Sequence, residues 1–206
     1  MFDLSGRRPR KMATLFVTHH DCIDHDTGPG HPECPDRLRV IQRVFEAEEF
    51  MFLHREEAPL ADIELIKAVH DPAYVDKVMA SIPDHGIEAL DGDTYVSSGS
   101  GKAALRSAGG ACVAVDAVMD GHERNAFVAT RPPGHHAEYD RAMGFCLFNN
   151  AAIAAHHARR KYGIKRVAVM DFDVHHGNGT QDLFYNEPDL FYCSTHQWPL
   201  YPGTGA

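Results

Sequence analysis

Four short apolar runs along the chain have the composition of buried β-strands. Each is rich in aliphatic or β-branched side chains and passes into a polar loop. The runs cover residues 13–18, 125–130, 166–171 and 190–195. A briefer strand is expected within residues 52–60.

The segments between these runs carry apolar side chains at helical spacing. Pro35 suits the first turn of one helix, and Asp62 and Asp71 suit the N-cap positions of two others. The predicted helices cover residues 36–49, 64–70, 72–80, 102–119 and 151–162. Gly109-Gly110 costs stability inside the longest helix, so we expect this helix to approach the sheet closely. Because strands and helices alternate, the sequence predicts an α/β fold with a mostly parallel central sheet flanked by helices.

Two further segments are expected at the surface. Residues 81–100 show no sustained periodicity and are rich in Gly, Asp and Ser, which predicts a long surface loop with Asp91 and Asp93 as solvated charges. His156 and His157 lie in a helix beside basic residues, and we expect them on its solvated face.

The stretch 166–180, RVAVMDFDVHHGNGT, changes from an apolar strand, expected to be buried on both faces, into a polar, glycine-rich turn. Because side chains alternate along a strand, Asp171, Asp173 and His175 project to one side, at the carboxyl end where open α/β sheets bind ligands. A carboxylate and an imidazole two residues apart can both reach one divalent ion. The stretch therefore predicts a metal site at Asp173 and His175.

The loop after the strand at 125–130, Arg131-Pro-Pro-Gly-His135-His136, is expected to meet this metal site. Loops that leave neighbouring parallel strands open at the same edge of the sheet, so both imidazoles should face the predicted ligands. Two imidazoles with a pKa near neutrality form a general base and acid pair beside an activated water. Asp171 and Asn178 are the candidates for fixing their tautomers.

Other candidate residues near this site have a weaker signal. His19, His20, His25 and His31 belong to a Pro- and Gly-rich loop after the first strand, and we expect them to support the site or lie on the surface rather than bind the metal. Gly144-Phe145 offers an aromatic wall, with room at the glycine for a narrow substrate.

Composition narrows the function classes. At 206 residues with 44% apolar positions, the chain suits one globular domain. The formal charge of −9 argues against direct nucleic-acid binding, and no apolar run approaches membrane-spanning length. Five scattered cysteines without a C-x-x-C pair indicate reduced thiols and a cytoplasmic location. The basic residues 1–12 are expected to form a disordered leader.

Several motifs together resemble the zinc-dependent histone deacetylase superfamily. They are RPPGHHA, GFCLFNNAAIAA, DFDVHHGNGTQ and STHQWPLYPGTG, and the segments HDTGPGHPECPDRL and VHDPAYV also match. The resemblance favours the class II-like branch, which includes bacterial deacetylase-like amidohydrolases and acetylpolyamine amidohydrolases. It covers nearly the whole chain from about Thr14 and implies an arginase/deacetylase-like version of the predicted fold.

The resemblance implies metal-assisted hydrolysis of an amide. Asp173 and His175 match two of the three protein ligands of a catalytic Zn²⁺, which would polarise the acyl carbonyl and activate a water. The tandem histidines would transfer protons, the first paired with a carboxylate and the second with an amide. The residues that match these catalytic positions are His135, His136, Asp171 and Asn178.

The resemblance also implies substrate and ion sites. Gly144 and Phe145 match the wall of the acyl-lysine tunnel, and Asp93 matches a loop acid that grips the substrate backbone. The expected substrate is an acetylated lysine peptide or a small acetylated amine such as an acetylpolyamine, and an oligomer is compatible with this interpretation. A potassium site is implied at Asp171, Asp173, His175 and Ser194.

The sequence ends at Ala206, inside the loop that follows the last predicted strand. The family pattern continues beyond this point, where we expect the third zinc ligand, an Asp, and a Tyr or its replacement that donates to the oxyanion. Tyr201 lies too close to the preceding strand to be assigned that second role. We therefore expect residues 13–206 to be the N-terminal part of one catalytic domain, truncated at its C-terminus.

Two other hypotheses stay open from the sequence. A truncated or non-catalytic relative would bind acylated ligands or a partner without turnover. A two-metal hydrolase with the arginase-like sheet would need carboxylates that bridge two ions, and the single Asp-x-His disfavours it.

Overall fold

The computed structural model describes residues 14–206, so the predicted leader at 1–12 lies outside the described residues. Strands and helices alternate along most of this part of the chain, and the α/β class is confirmed. The strands are β1 Leu15–Thr18, β2 His54–Glu57, β3 Ile87–Ala89, β4 Tyr95–Ser97, β5 Ala126–Val128, β6 Val167–Asp171 and β7 Leu190–Ser194. The helices are α1 Pro35–Val44, α2 Ile63–Lys67, α3 Pro72–Ala80, α4 Ser100–Met119, α5 Asn150–Tyr162 and α6 Asn178–Phe184.

The parallel strands form two separate groups. β1 lies between β2 and β5 in one parallel sheet, and β6 pairs in parallel with β7 in another. Within residues 14–206, β5 and β6 share no backbone hydrogen bonds, so the predicted βαβ unit does not form a directly paired ladder. β5 pairs instead with β1, far earlier in the chain, through a register that sets Val17 beside Val128.

Helices cover both faces of the three-stranded sheet. Leu15 and Val17 point from β1 toward α4, whereas Phe16 points toward α1 and packs near Leu38. The alternation of strand side chains produces this division, and all three β1 residues are buried.

The predicted caps are present at the helix starts. The side chain of Asp62 accepts a hydrogen bond from the Glu64 N–H, and that of Asp71 accepts one from the Ala73 N–H. Asn149 caps α5 in the same way, by accepting a hydrogen bond from the Ala152 N–H. These bonds satisfy backbone donors that have no partner within the helix.

The predicted surface loop at 81–100 is wrong in one respect, because it contains the antiparallel hairpin β3–β4. The Asp91 carboxylate accepts hydrogen bonds from the N–H groups of Asp93 and Thr94, which closes the turn of the hairpin. β3 is exposed throughout, so it shows none of the apolar alternation by which a half-buried strand is recognised.

Helix α1 ends at Val44 instead of near Glu49. The chain turns after Phe45, and the rings of Phe45 and Phe50 then pack with their centroids 4.6 Å apart. Packing of the two rings thus favours a turn over continuation of the helix.

Strand β6 is predicted to be buried on both faces, but the structure shows only partial burial, and of one face alone. Val167 and Val169 pack on the cluster around Ala152 and Phe184, contributed by α5 and α6. The opposite face is open among the described residues, with Met170 56% exposed.

The expectation of a solvated His156–His157 face is also wrong. His157 is largely buried, and its Nε2 lies 2.7 Å from a carboxylate oxygen of Asp116 on α4. This bond helps to join α5 to α4.

None of the helices in residues 14–206 is long and apolar enough to cross a membrane.

Gly109 and Gly110 bring α4 close to its neighbours, as the sequence predicts. A Cβ atom at Gly109 would lie 2.0 Å from the backbone oxygen of Pro59, and one at Gly110 would lie 3.1 Å from the Cβ of Ala58. The missing side chains therefore let the helix pack directly on the chain that follows β2.

We expect Gly109→Ala to destabilise the protein by about 1–3 kcal/mol, because the added methyl group overlaps rigid backbone. Gly101→Ala is the matched control on the same helix, since its Cβ would meet only flexible side chains at 3.4 Å. Ala is the better helix former, so the control should be neutral or up to about 1 kcal/mol more stable. Urea denaturation measures both, and equal effects would contradict this account of α4.

Candidate active site

The two predicted loops converge. The loop after β5 carries His135 and His136, and their Nδ1 atoms lie 2.9 Å from Asp171 Oδ2 and 2.8 Å from Asn178 Oδ1 respectively. The two imidazole rings are adjacent, with centroids 4.0 Å apart. The predicted pairing of each histidine with its own acceptor is therefore present in the structure, whereas the catalytic roles stay predictions.

The two predicted metal ligands lie together beside this pair. Asp173 Oδ1 and His175 Nδ1 are 3.2 Å apart, and His135 Nε2 lies 4.0 Å from the same Asp173 oxygen. Two donor atoms about 2.0–2.2 Å from one Zn²⁺ would lie at a similar separation, and a carboxylate with an imidazole is a donor set that zinc accepts. The pair therefore fits a zinc ion, with room for ligands from elsewhere, since both side chains are only partly buried.

Asp171 connects the two loops. Its Oδ2 accepts hydrogen bonds from His135 Nδ1–H and from the Tyr192 hydroxyl, and its Oδ1 accepts from the Asp173 N–H. Burial alone would raise the pKa of Asp171, but the hydrogen bond and charge of His135 outweigh it and hold this pKa below its usual range. Gly177 is required here, because a Cβ atom would lie 2.2 Å from Asp171 Oδ2.

His136 is in a different electrostatic environment. It is buried, and burial followed by the nearby His135 lowers its pKa to about 4, which outweighs the hydrogen bond to Asn178. Its partner is a neutral amide and gives the protonated ring no full negative charge. His136 is therefore a neutral imidazole near pH 7.

Gly144 and Phe145 form a tight turn against the histidine pair. Both have positive φ, 57° and 70°, and a Cβ at Gly144 would lie 2.3 Å from the His136 ring. Asp93 Oδ1 accepts a hydrogen bond from the Gly144 N–H, and Thr94 Oγ1 accepts one from the Phe145 N–H. In this structure Asp93 is thus bonded to the turn, so it braces the wall of the site.

Tyr201 belongs to the site, although the sequence alone gives it no role. Its ring contacts His136 edge-on with centroids 5.0 Å apart. Burial and then the Asp93 charge raise the pKa of Tyr201. The LYPGTG segment is the available signal in the sequence, but its distance from the histidines along the chain gives no indication of contact.

A cavity of about 210 Å³ lies within the site, and it is lined by Pro32, Glu33, Arg37, Pro133, His135, His136, Gly144, Phe145, Asp173, Val174 and His175.

The loop histidines mainly support other residues. His31 Nε2 lies 3.1 Å from the backbone oxygen of Asp93, and its ring packs edge-on against Phe145. His19, His20 and Asp21 form the one group of three potential metal ligands found in residues 14–206. The first of these already accepts the Asp21 N–H at its Nδ1 atom, and Arg106 binds the Asp21 carboxylate.

The potassium site stays a prediction. Ser194 Oγ lies 2.8 Å from His196 Nδ1, and the backbone oxygen of Asp171 accepts a hydrogen bond from the Thr195 N–H. The second bond joins the ends of β6 and β7, and neither bond identifies an ion.

Comparisons with known proteins agree with this geometry. The sequence profile of the histone deacetylase domain matches residues 31–206. The chain is 43% identical to a probable deacetylase of Methanothermobacter thermautotrophicus, covering 93% of this chain and 57% of that protein. It is 40% identical to a histone deacetylase-like amidohydrolase of Pseudomonas aeruginosa, covering 92% of this chain and 54% of the relative. The crystal structure of the HDA15 HD domain superposes with a TM-score of 0.87 at 35% identity, covering 94% of this chain and 58% of that one.

The chain belongs to the histone deacetylase family. It spans just over half the length of these relatives. The mostly parallel α/β fold expected from the resemblance is confirmed by the structural match.

A buried ion pair holds the histidine loop of this histone deacetylase domain. Arg131 is 2% exposed, and its guanidinium makes two hydrogen bonds of 2.6 Å to the carboxylate of Glu33, which is equally buried. Arg131 also donates to the backbone oxygen of Cys22. On the other side of the loop, the Thr180 N–H donates to the backbone oxygen of His135. The loop is therefore fixed from two directions.

We expect Glu33→Ala to destabilise the protein by about 3–5 kcal/mol, because it leaves the Arg131 charge buried without a partner. Arg39→Ala is the control, since it removes the exposed Arg39–Asp36 pair on α1 and should cost no more than about 1 kcal/mol. Denaturant titration of both variants decides the question. A loss in Glu33→Ala as small as in the control would show that Arg131 does not depend on Glu33.

His25 gives the same region a pH dependence. It is fully buried, its Nδ1 lies 2.7 Å from Ser100 Oγ, and its Nε2 has no hydrogen-bond partner among the described residues. Burial lowers the pKa of His25 to about 4, since the opposing effect of Glu33 is smaller and Arg131 adds to the lowering. The unfolded chain therefore binds this proton at a higher pH than the folded protein does.

The free energy of unfolding should consequently fall as the pH drops from about 6.5 to about 4, with His25 contributing up to about 1.4 kcal/mol per pH unit. In His25→Gln this contribution disappears. The stability difference between wild type and variant should therefore shrink as the pH falls through this window. Urea titrations at several pH values measure it, and a difference that is independent of pH would be inconsistent with a neutral, buried His25.

Proposed function

We propose that the chain is the N-terminal part of a zinc-dependent amidohydrolase that removes the acetyl group from an acetylated amine. One observation carries this proposal: Asp173, His175 and the two tandem histidines face a single cavity, each histidine with its own acceptor. The names of the matched relatives, a probable deacetylase and a histone deacetylase-like amidohydrolase, support the same class of reaction.

Asp173 and His175 would hold the zinc together with a third ligand from outside residues 14–206. Bound zinc supplies Lewis acidity toward the acyl carbonyl and the attacking water. One metal is the simpler interpretation, because the carboxylate of Asp171, two positions before Asp173, is already bonded to His135. This weighs against the two-metal alternative.

The two histidines have different tasks in this proposal. His136 is neutral and buried, so its Nε2 atom is suited to accept the proton of the attacking water. His135 donates its Nδ1–H to the Asp171 carboxylate, which fixes its ring with the Nε2 atom 4.0 Å from Asp173 Oδ1. The ring of His135 is therefore placed to exchange a proton with the leaving amine, beside the negative charge that develops on the acyl oxygen.

The walls of the cavity favour a narrow, extended substrate. Phe145 supplies an aromatic ring to the wall, and Gly144 lets the chain lie directly against His136, whose ring Tyr201 contacts edge-on. We propose acetyl-lysine in a peptide, or a small acetylated amine such as an acetylpolyamine, with the Asp93 loop at the entrance. The formal charge of −9 is compatible with a cationic substrate and disfavours nucleic acid.

The remaining expectations also belong to this proposal. They are a potassium site at the end of β6 and the assembly of the protein into an oligomer. A reducing compartment such as the cytoplasm is supported by five free thiols, Cys22, Cys34, Cys112, Cys146 and Cys193.

In the full-length protein, His136→Ala should lower kcat by about 10²–10⁴-fold, because the proton acceptor is lost while the metal ligands remain. Asp173→Ala should abolish turnover and also reduce bound zinc. His122→Ala, an exposed histidine outside the site, is the control. The measurements are hydrolysis of acetyl-lysine peptides and acetylpolyamines and the zinc content of each variant.

Activity that survives in Asp173→Ala would refute the zinc mechanism. Binding of acetyl-lysine without turnover in the wild type would support the non-catalytic alternative. Two metal ions per chain would revive the two-metal hydrolase.

A further inference from the structure

A second carboxylate, that of Glu138, contacts Asn178 on the side away from His136. Glu138 Oε1 lies 2.6 Å from Asn178 Nδ2, and the other oxygen of Glu138 lies 2.6 Å from an Arg141 nitrogen. Asn178 is 7% exposed, and its Oδ1 atom faces His136 Nδ1 at 2.8 Å. The three side chains form a continuous line of hydrogen bonds from Glu138 to the ring of His136.

The chemistry of this line determines the direction of every bond in it. An ionised carboxylate can only accept, so the Asn178 NH₂ group must face Glu138 and the Asn178 carbonyl oxygen must face His136. That oxygen also can only accept, so the hydrogen of neutral His136 must sit on Nδ1. The Nε2 atom of His136 is then left with its lone pair free.

We propose that Glu138 is a positioning residue that fixes the tautomer of His136 through the amide of Asn178. The inference deepens the function proposed above, since a lone pair on Nε2 is what a proton acceptor at this position needs. Turning Asn178 over would present an NH₂ group to His136 instead, and apart from Glu138 the present orientation is held only by longer contacts of Asn178 Nδ2, 3.3 Å to Met143 Sδ and 3.5 Å to the His136 backbone oxygen. Glu138 opposes that turn, since it would bring the amide oxygen against a carboxylate 2.6 Å away.

His135 needs no such relay. Its Nδ1 atom is bonded directly to the carboxylate of Asp171, which accepts only. Both histidines thus carry their hydrogen on Nδ1, but the carboxylates that fix this tautomer lie at different distances. The first is held by direct contact and the second through one intervening amide.

The backbone of Glu138 is held independently of its side chain. Its oxygen lies 2.8 Å from His70 Nδ1, and its N–H donates to the backbone oxygen of Arg141. A substitution that changes only the Glu138 side chain should therefore leave the loop in place. This separates a change of tautomer from a loss of structure.

The first test is Glu138→Leu in the full-length protein labelled with ¹⁵N-histidine. The His136 signals, assigned from a His136→Gln variant, should report hydrogen on Nδ1 in the wild type and a mixture of tautomers in Glu138→Leu. kcat should fall by about 10- to 100-fold with KM and zinc content unchanged. Glu138→Gln can still accept from Asn178 and should retain most of the wild-type signal. An unchanged tautomer in Glu138→Leu would overturn the proposal.

Arg141→Gln is the matched control. It removes the exposed partner on the other oxygen of Glu138 and leaves the bond to Asn178 intact. The tautomer of His136 and kcat should both stay within about twofold of the wild type. A loss as large as that in Glu138→Leu would assign the effect to the loop as a whole and overturn the relay.

The second test uses a charge swap. Asn178→Asp places two carboxylates in contact, so it should lower kcat or destabilise the protein. Adding Glu138→Gln supplies an NH₂ group that can donate to the carboxylate introduced at position 178. The double variant should therefore regain at least half of the kcat or stability that Asn178→Asp loses. If the effects of the two single substitutions simply add in the double variant, a direct interaction between positions 138 and 178 is contradicted. Because the ¹⁵N signals are independent of turnover, the relay can be confirmed or rejected even if the wild type proves inactive.

Discussion

The carboxylate of Asp171 is the contact on which the arrangement of the site depends. A half-buried carboxylate must find donors, since desolvation otherwise favours its protonated form. Asp171 finds them in the ring of His135, the hydroxyl of Tyr192 and the backbone of Asp173. Satisfying this half-buried charge therefore places the histidine loop against the end of β6 and sets the turn that presents the predicted metal ligands, Asp173 and His175.

The contact between Asp171 and His135 explains why the two predicted loops meet although β5 and β6, from which they leave, do not pair. The prediction rests on β5 and β6 being neighbours, because consecutive strands usually are. In residues 14–206 they do not pair. The loops meet through side chains and backbone groups, with Asp171 on one side and the bond from Thr180 to His135 on another. The buried Arg131–Glu33 pair holds the start of the same loop.

The parts of the site that could be predicted lie within short motifs. The spacing of Asp173 and His175 and the adjacency of the two histidines are properties of local sequence. Contacts between distant segments have no such signature: Glu33 and Arg131 are 98 positions apart, and Tyr201 reaches His136 from another loop. The β3–β4 hairpin escapes prediction for a related reason, since an exposed strand has no apolar alternation and its turn is closed by the side chain of Asp91.

The close approach of Gly144 to His136 limits how the specificity of the cavity can be changed. With positive φ and no space for a Cβ atom, this position must remain a glycine, so substitutions there cannot change the width of the cavity. If the proposed function holds, acceptance of longer or branched acyl groups would have to come from changes at the neighbouring rings, Phe145 and Tyr201. Redesign of the cavity would therefore shorten one of those two side chains and leave the glycine untouched.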